Sequence, residues 1–477
     1  MGHMTDEPSG RNLDGDAPVA EAVVETEEAT ITEDAELERT IGLTGGLAIG
    51  IGTMIGAGIF VFPGLAGGKI GTAASASFAV GGLIALLVAL PTSELATAMP
   101  RSGGGYYFIS RGLGTLPGTV IGLSLWLGLV FATAFYLVGL GYYALDALAQ
   151  VGIAVGAGSD AIVSVIAVLA GVAFTVLNVT GTENAAKLQN GIVALLLSML
   201  VAFLGFGLLE AFGFVAVDTP PGEAESVWEA VPILSVAALV FTSYLGFAQV
   251  ATVAGEMKDP GRNLPLAMVG SVLIVTVLYV LTIFVATNIF TRDALLSAGE
   301  TAMVEVGRAL LGPAGALVII VGGLLATMSS ANASILSTSR AIYGVSKDAL
   351  LPRWASRINL RYGTPHVALG MAGGPVVVLA ATGQVQLLAE VASFLHLIMY
   401  GLMCVALVAI RRDRPEWYDP DFVVPGGPVI PVVGALASFG LIAFMNPLSI
   451  LVGIAVIAAT AGWYFYYARD VSLKGAL

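Results

Sequence analysis

Apolar segments of about 20 residues recur from residue 41 almost to the end of this 477-residue chain. A helix of that length spans the hydrocarbon core of a bilayer. Charged residues make up only 11% of the chain, whereas soluble domains carry about 25%. This excludes a soluble globular fold, and the sequence predicts an all-α integral membrane protein.

Residues 1–40 form an acidic tail with twelve carboxylates against Arg11 and Arg39, which gives it −10 of the chain's net charge of −13. A segment with so much charge and so little apolar surface is predicted to be disordered. Residues 1–4 (MGHM) are typical of a cloning remnant. A transmembrane domain is predicted to occupy residues 41–477.

Twelve candidate transmembrane spans follow from the apolar runs and their polar, glycine or proline boundaries. They lie near residues 41–66, 72–98, 116–142, 160–179, 189–213, 231–255, 265–290, 314–343, 365–382, 386–410, 427–445 and 448–467.

The basic residues orient these spans. With the N-terminus inside, only Lys69, Arg292 and Arg308 of the twenty lysines and arginines fall outside. Because short cytoplasmic loops are enriched in lysine and arginine, both termini are predicted to be cytoplasmic and the protein to lie in the cytoplasmic membrane. The basic loop 346–364 is expected to contact anionic lipid headgroups rather than nucleic acid, and the external connection 291–312 to hold a short surface helix.

The stretch IGTMIGAGIFVFPG (51–64) places four glycines and a proline inside the first apolar run. Each glycine inside a helix costs about 1 kcal/mol, and an unpaired backbone group in hydrocarbon costs several more. The matching stretch of span 6, ALVFTSYLGFAQVATVAGE (238–256), also carries polar residues and Gly246 in its middle. Interrupted spans at matching positions of two halves indicate a midplane binding site, although glycines also allow close helix packing.

This correspondence predicts a five-plus-five inverted repeat with discontinuous helices 1 and 6. Repeat 1 covers about 41–213, repeat 2 about 231–410, and helices 11 and 12 about 427–467.

Four motifs in this order resemble one known family. They are the stretch 51–64, TSELATAMPRSGGGYYFISRGLG (92–114), FTSYLGFAQVATVAGEMKDPGRNLP (241–265) and NASILSTSRAIYGVSKDALLP (332–352). From residue 41 onward the chain resembles the amino acid–polyamine–organocation superfamily of secondary transporters. The resemblance implies the leucine-transporter-type fold and alternating access.

The resemblance also implies the substrate site. The backbone amides of residues 56–58 are expected to face the carboxylate of an amino acid, and residues 241–244 to take its ammonium group and begin the side-chain pocket. Phe241 or Tyr244 is expected to gate the site, unless these rings serve only helix packing. The implied substrate-binding residues are Ile55, Gly56, Ala57, Gly58, Phe241, Thr242, Ser243 and Tyr244.

In sodium-coupled relatives, a pattern similar to ATMSSANAS (326–334) supplies half of a sodium site. The implied ligands here are Gly52, Ile55, Ala326, Ser329 and Ser330. Serines in membrane helices also bond to nearby backbone carbonyls, so packing is the alternative role. No cofactor is expected apart from this bound Na⁺.

Proton-linked or sodium-independent relatives often place a helix 5 lysine at the same ion site. The corresponding position here falls near Leu196, and Lys187 lies at the cytoplasmic end of the span. This departure weakens the proton mechanism and leaves the sodium interpretation in place.

Ionisable residues within apolar spans are functional candidates. Glu94 is expected to pair with Arg101 or Arg111, and Glu390 to be solvated near an outer boundary. His396 is expected to be a hydrogen-bonded interior residue.

The sequence therefore predicts secondary transport of amino acids, with a neutral substrate because the helix 6 pocket positions carry no charge. Alternatives are a proton-coupled permease, an amino-acid exchanger, a cation–chloride cotransporter-like carrier, a channel or a transporter-like sensor. An enzyme is not expected, since metal-ligand spacing and a phosphate-binding loop are missing from the sequence. No sequence feature specifies an oligomeric state.

Overall fold

The computed structural model describes residues 39, 41–99, 104–153, 159–180, 185–214, 226–359 and 364–471, and gives only the backbone for 185–190. The acidic tail apart from Arg39, the side chain of Lys187 and all of Arg101 lie outside this description. Within it, extended pairing is limited to two isolated bridges, Ile41 with Met257 and Asn359 with Thr364. The predicted all-α class is confirmed.

The α-helices of the described residues, numbered in chain order, carry the fold. They are α1 (Leu43–Met54), α2 (Ala57–Ile70), α3 (Ala74–Ala98), α4 (Gly104–Leu113), α5 (Thr115–Gln150), α6 (Ser159–Thr180), α7 (Ala185–Ala211), α8 (Ala230–Val240), α9 (Phe247–Thr252), α10 (Pro260–Ile289), α11 (Arg292–Ala298), α12 (Ala302–Lys347), α13 (His366–Ala380), α14 (Val385–Asp413), α15 (Val429–Ile442) and α16 (Pro447–Trp463).

Each predicted span contains a helix or a helix pair. Span 1 is α1 with α2, and span 6 is α8 with α9. Within the described residues, nine helical segments are long and apolar enough to cross a membrane, and α1, α13 and α15 are shorter apolar helices. This is a multi-span membrane architecture; the twelve-span count and the inverted repeat stay predictions. The helix α11 confirms the expected short helix after residue 290.

Burial separates central helices from peripheral ones. The most apolar windows of α5 and α14 are 72% buried, whereas those of α6 and of the segment containing α16 are only 17% buried. Apolar side chains of the peripheral helices therefore point outward, as expected for contact with lipid. The helices α12 and α5 pack together, as do α10 and α3, and α1 packs against α10. The helix α2 packs against α11 and α12, so both parts of span 1 lie against other helices.

The long helix α12 bends just before the predicted span 8. Leu311 and Gly312 have non-helical φ values of −131° and 63°, and Pro313 follows directly. Proline disfavours helical backbone at the residue before it, and glycine accepts the positive φ. Span 8 therefore begins near the predicted residue 314.

Candidate functional site at the break of span 1

Span 1 is interrupted at Ile55 and Gly56, whereas the sequence predicts a break at the GAG stretch 56–58, so the predicted and observed breaks overlap at Gly56. Their φ and ψ values are −75° and 86° for Ile55, and −130° and −145° for Gly56, outside the helical range. The Ile55 amide still donates to the Ile51 carbonyl at 2.8 Å, but the Gly56 amide donates to the Met54 carbonyl at 2.9 Å. In a continuous helix, the Gly52 carbonyl would accept a hydrogen bond from the amide of Gly56, or from that of Ile55 in a 3₁₀ turn. Both amides bond to other carbonyls here, so the Gly52 carbonyl is released from the helical pattern.

The helix α2 starts at the other side of this break. Its first residues, Ala57 and Gly58, are buried. The first four amides of a helix have no partner within it, and the helix dipole adds about half a positive charge there. A buried helix N-terminus of this kind suits a carboxylate or another anion.

Span 6 is interrupted less than predicted. The helix α8 ends at Val240, a 3₁₀ turn covers Phe241–Tyr244, and α9 begins at Phe247. Leu245 and Gly246 keep right-handed helical dihedrals, with φ near −63° and −68°. The expected unwound segment is therefore a tightened turn, because a 3₁₀ turn changes the hydrogen-bond spacing without opening the backbone.

The two interrupted spans and α12 meet at two glycines. A Cβ on Gly58 would overlap the Ser243 hydroxyl, and one on Gly56 would overlap the Ser330 hydroxyl. Only glycine permits backbone and side chain to approach this closely. The structure thus brings together Gly56, Gly58, Ser243 and Ser330, all of which the sequence analysis singles out.

Two hydroxyls of span 6 are buried without a partner. Thr242 Oγ1 and Ser243 Oγ make no hydrogen bond within the described part of the chain, and their residues are 1% and 5% exposed. Buried polar atoms nearly always have a partner, and leaving one unpaired costs about 1–3 kcal/mol. The Ser243 hydroxyl lies beside Gly58 at the N-terminus of α2, where it is positioned to bind a polar group of a small molecule.

Other buried hydroxyls bind the carbonyls around the breaks. Tyr279 Oη donates to the Met54 carbonyl at 2.7 Å and lies 3.5 Å from the Ser243 carbonyl oxygen. Tyr400 donates to the Leu245 carbonyl at 3.0 Å. The sequence analysis missed both tyrosines, because a tyrosine in an apolar run resembles ordinary core. A polar-tipped aromatic at mid-span is the signal that would have identified them.

The predicted gating rings are fully buried. Phe241 packs against Tyr400 with ring centroids 6.1 Å apart, and Tyr244 packs against Tyr279 at 5.5 Å. The Tyr244 hydroxyl donates to the Phe78 carbonyl of α3 at 2.7 Å. These contacts give the site an apolar aromatic wall.

Two of the five residues of the predicted sodium site line one small cavity, whereas Ile55, Ala326 and Ser329 are not among its lining residues. Gly52 and Ser330 both line a cavity of about 50 Å³, and Ala326, Ser329 and Ser330 are 0%, 7% and 8% exposed. Unwound backbone carbonyls coordinate sodium in transporters with interrupted helices, and a serine hydroxyl oxygen offers lone pairs to the same ion. The released Gly52 carbonyl and the Ser330 hydroxyl therefore fit such an ion chemically.

The remaining polar lining of this cavity is uncharged. It comes from Thr53, Gln249, Ser334 and Ser337, with Tyr136 of α5. The Thr53 hydroxyl also lies 3.0 Å from the Gly246 carbonyl oxygen, which joins α1 to span 6.

Glu94 has a different partner from the one expected. The Arg411 guanidinium of α14 binds both of its carboxylate oxygens. Tyr418 donates a further hydrogen bond, and so does the Val424 amide at 2.6 Å. The pairing with Arg111 was wrong because the chain after α14 folds back onto the end of α3, which no local pattern reveals.

Glu390 is buried rather than solvated, at 3% exposure. Its carboxylate accepts hydrogen bonds from Gln386 at 2.9 Å, Ser449 at 2.7 Å and the Asn446 amide at 3.2 Å. The start of α14 lies against the start of α16, and this contact excludes the water expected from the sequence.

Two other positions in apolar spans are packed in the interior. His396 is 3% exposed, and its Nδ1 lies 2.8 Å from the Ala392 carbonyl oxygen, which confirms an interior hydrogen-bonded histidine. Leu196, where a proton-linked relative would carry lysine, is 1% exposed and belongs to the main apolar core.

Comparison with known proteins identifies the family. The amino acid permease family model matches residues 41–468. The chain belongs to the amino acid permease family. This confirms the superfamily resemblance, and it makes the permease a membrane transporter rather than an enzyme.

Three curated relatives from Bacillus subtilis match the permease over nearly its full length. The serine/threonine exchanger SteT is 28% identical over 445 residues, covering 91% of this chain and 98% of SteT. The branched-chain amino acid permease BcaP is 28% identical over 470 residues, covering 93% and 96%. The methylthioribose transporter is 27% identical over 456 residues, also covering 93% and 96%.

Proposed function

We propose that this permease is a secondary carrier that moves neutral amino acids across the cytoplasmic membrane by alternating access. The observation that carries the proposal is the unpartnered buried hydroxyl of Ser243 beside Gly58 at the N-terminus of α2, with a second unpartnered hydroxyl on the neighbouring Thr242. A zwitterionic amino acid supplies a carboxylate for the amides of Ala57 and Gly58. It also supplies an ammonium donor for the hydroxyl oxygens.

The lining of the site favours a neutral side chain. The predicted pocket positions Phe241, Thr242, Ser243 and Tyr244 are uncharged, and the rings of Phe241 and Tyr244 form a fully buried aromatic wall. A charged side chain placed there would be desolvated without a counter-charge, which is costly. The names of SteT and BcaP, a serine/threonine exchanger and a branched-chain amino acid permease, support the same substrate class.

For coupling, the proposal is sodium symport. The Gly52 carbonyl and the hydroxyls of Ser329 and Ser330 would hold the ion, with the carbonyls of Ile55 and Ala326. Bound Na⁺ would link the break of span 1 to α12. The buried Leu196 supports this choice over a lysine-based proton mechanism. Amino-acid exchange is the second candidate, and it rests on the name of the relative SteT.

The proposed architecture has twelve spans in two inverted repeats, with both termini in the cytoplasm. Interrupted helices facing each other in the structure support this arrangement, since the substrate site of inverted-repeat carriers lies at such breaks. Cysteines introduced near either terminus are expected to react with a membrane-impermeant maleimide only after the membrane is permeabilised.

The experiment is uptake of a labelled amino-acid panel into proteoliposomes that contain the purified permease. It is run with an inward sodium gradient, with a proton gradient, with neither, and with unlabelled amino acid inside. Saturable uptake of neutral amino acids stimulated by sodium is expected. Preferential uptake of arginine or glutamate would contradict the substrate class, and uptake that needs only internal amino acid would favour exchange.

The site itself is tested by Ser243→Ala. Loss of a hydroxyl that binds the ammonium group is expected to raise the KM about tenfold, or about 1.4 kcal/mol. Ser438→Ala in α15 is the matched control, since Ser438 is also a buried serine without a partner in the described residues. An unchanged KM in Ser243→Ala would contradict the proposed role of Ser243 in substrate binding.

A further inference from the structure

The Tyr279 hydroxyl lies between the two interrupted spans. Tyr279 belongs to α10 and is 1% exposed. Its Oη is 2.7 Å from the carbonyl oxygen of Met54, the last residue of α1, and 3.5 Å from that of Ser243 in the 3₁₀ turn. One side chain from a third helix thus contacts both breaks.

This hydroxyl carries one hydrogen for two carbonyls. The distance to Met54 is normal for a hydrogen bond from a hydroxyl, and the distance to Ser243 is beyond that range. The Met54 carbonyl also accepts the Gly56 amide at 2.9 Å. The non-helical backbone at the break is therefore held at one carbonyl oxygen by two donors, of which only Tyr279 comes from outside span 1.

We propose that Tyr279 is a positioning residue that fixes the break of span 1 against the turn of span 6. It sets the distance between the α2 amides and the Ser243 hydroxyl without contacting the amino acid. The positioning follows from the geometry alone, and its effect on substrate affinity rests on the proposed function. The ring packs on Phe78 and on Tyr244 of the span 6 turn, whereas the hydroxyl bonds to Met54 of span 1, so the hydroxyl completes the link between the two breaks.

Tyr143 of α5 offers a matched control. Its buried hydroxyl donates to the Phe60 carbonyl, within α2, at 2.8 Å. The Tyr143→Phe variant therefore loses a bond of the same chemistry and length on span 1, but one that does not reach span 6. Tyr279→Phe keeps the ring and its packing and loses only the hydroxyl.

The first test is hydrogen–deuterium exchange of the full-length permease without substrate. In Tyr279→Phe, both 52–58 and 241–246 are expected to exchange about tenfold faster than in the wild type. In Tyr143→Phe, 241–246 is expected to exchange at the wild-type rate. Unchanged exchange of both segments in Tyr279→Phe would overturn the proposal, and so would equal acceleration of 241–246 in the two variants.

The second test is uptake kinetics. Tyr279→Phe is expected to raise the KM about tenfold with Vmax within about twofold, whereas Tyr143→Phe keeps a KM within about twofold of the wild type. An unchanged KM in Tyr279→Phe would overturn the effect on affinity. If the wild type transports no amino acid, the proposed function is wrong, but hydrogen–deuterium exchange still tests whether Tyr279 positions the two breaks. Should Tyr279→Phe not fold, Tyr279→Met, which lacks a donor but fills space flexibly, is judged by the same criteria.

Discussion

Glu94 of α3 accepts a hydrogen bond at 2.7 Å from Arg411 Nε at the end of α14, 317 residues away in sequence. Glu94 is fully buried, and the Arg411 side chain is 18% exposed. The Val424 amide and the Tyr418 hydroxyl bind the same carboxylate. This cluster fastens the segment between α14 and α15 to the end of α3.

Glu94→Gln is expected to destabilise the protein by about 3–5 kcal/mol, because removal of one partner leaves a largely buried charge without compensation. Thermal unfolding in detergent measures the change. Glu305→Gln is the control, since Glu305 pairs with Arg308 at 3.2 Å on the surface and such pairs contribute about 0–1 kcal/mol. Similar shifts in the two variants would contradict a special contribution from the Glu94 cluster.

The same cluster predicts a pH dependence. Burial and the neighbouring Glu94 carboxylate raise the pKa of Tyr418 above its ordinary value, which is about 10. A raised folded-state pKa contributes stability below the unfolded pKa, and this stability is lost as the pH rises from there towards the folded pKa. Tyr418→Phe is therefore expected to show a smaller fall in melting temperature than the wild type above about pH 10. A parallel fall in both proteins would contradict the assignment.

Gly58→Ala tests the close approach of the two interrupted spans. The added Cβ would overlap the Ser243 hydroxyl, and such overpacking typically costs about 1–3 kcal/mol. Uptake is expected to fall more than tenfold at normal levels of protein in the membrane. Gly440→Ala in α15 meets open space and is expected to retain wild-type uptake. Full activity of Gly58→Ala would show that the two spans need not meet there.

The sequence located the break of span 1 because its cause is local. Glycine at position 56 lets a serine of α12 reach the backbone, and the glycine cluster is visible in one short stretch. The turn of span 6 was expected to unwind, but the φ and ψ angles at its two ends stay in the right-handed helical range. Its capacity to bind a substrate therefore depends on side chains such as that of Ser243 rather than on an unwound backbone.

Long-range contacts explain what the sequence could not provide. Glu94 finds its cation 317 residues away, and Glu390 is bound by Ser449 across two helices. In the sequence, Tyr279 cannot be distinguished from an ordinary core tyrosine. Its role depends on the position of its hydroxyl oxygen relative to the Met54 carbonyl. Periodicity specifies which face of a helix is buried, but it does not specify which buried polar atoms meet.

The last prediction concerns the ion. We propose that Gly52 and Ser330 hold sodium at their shared cavity. Because all the proposed ligands are oxygen atoms, replacing a serine by alanine removes one ligand and weakens sodium binding. Sodium stimulation of uptake is therefore expected to disappear in Ser329→Ala and in Ser330→Ala, with the half-saturating sodium concentration rising at least about tenfold where it is still measurable. Ser438→Ala, again the matched buried serine, is expected to keep the wild-type sodium response. The measurement is the initial uptake rate as a function of the external sodium concentration. Unchanged sodium dependence in both variants would contradict this sodium site and favour amino-acid exchange as the transport mode.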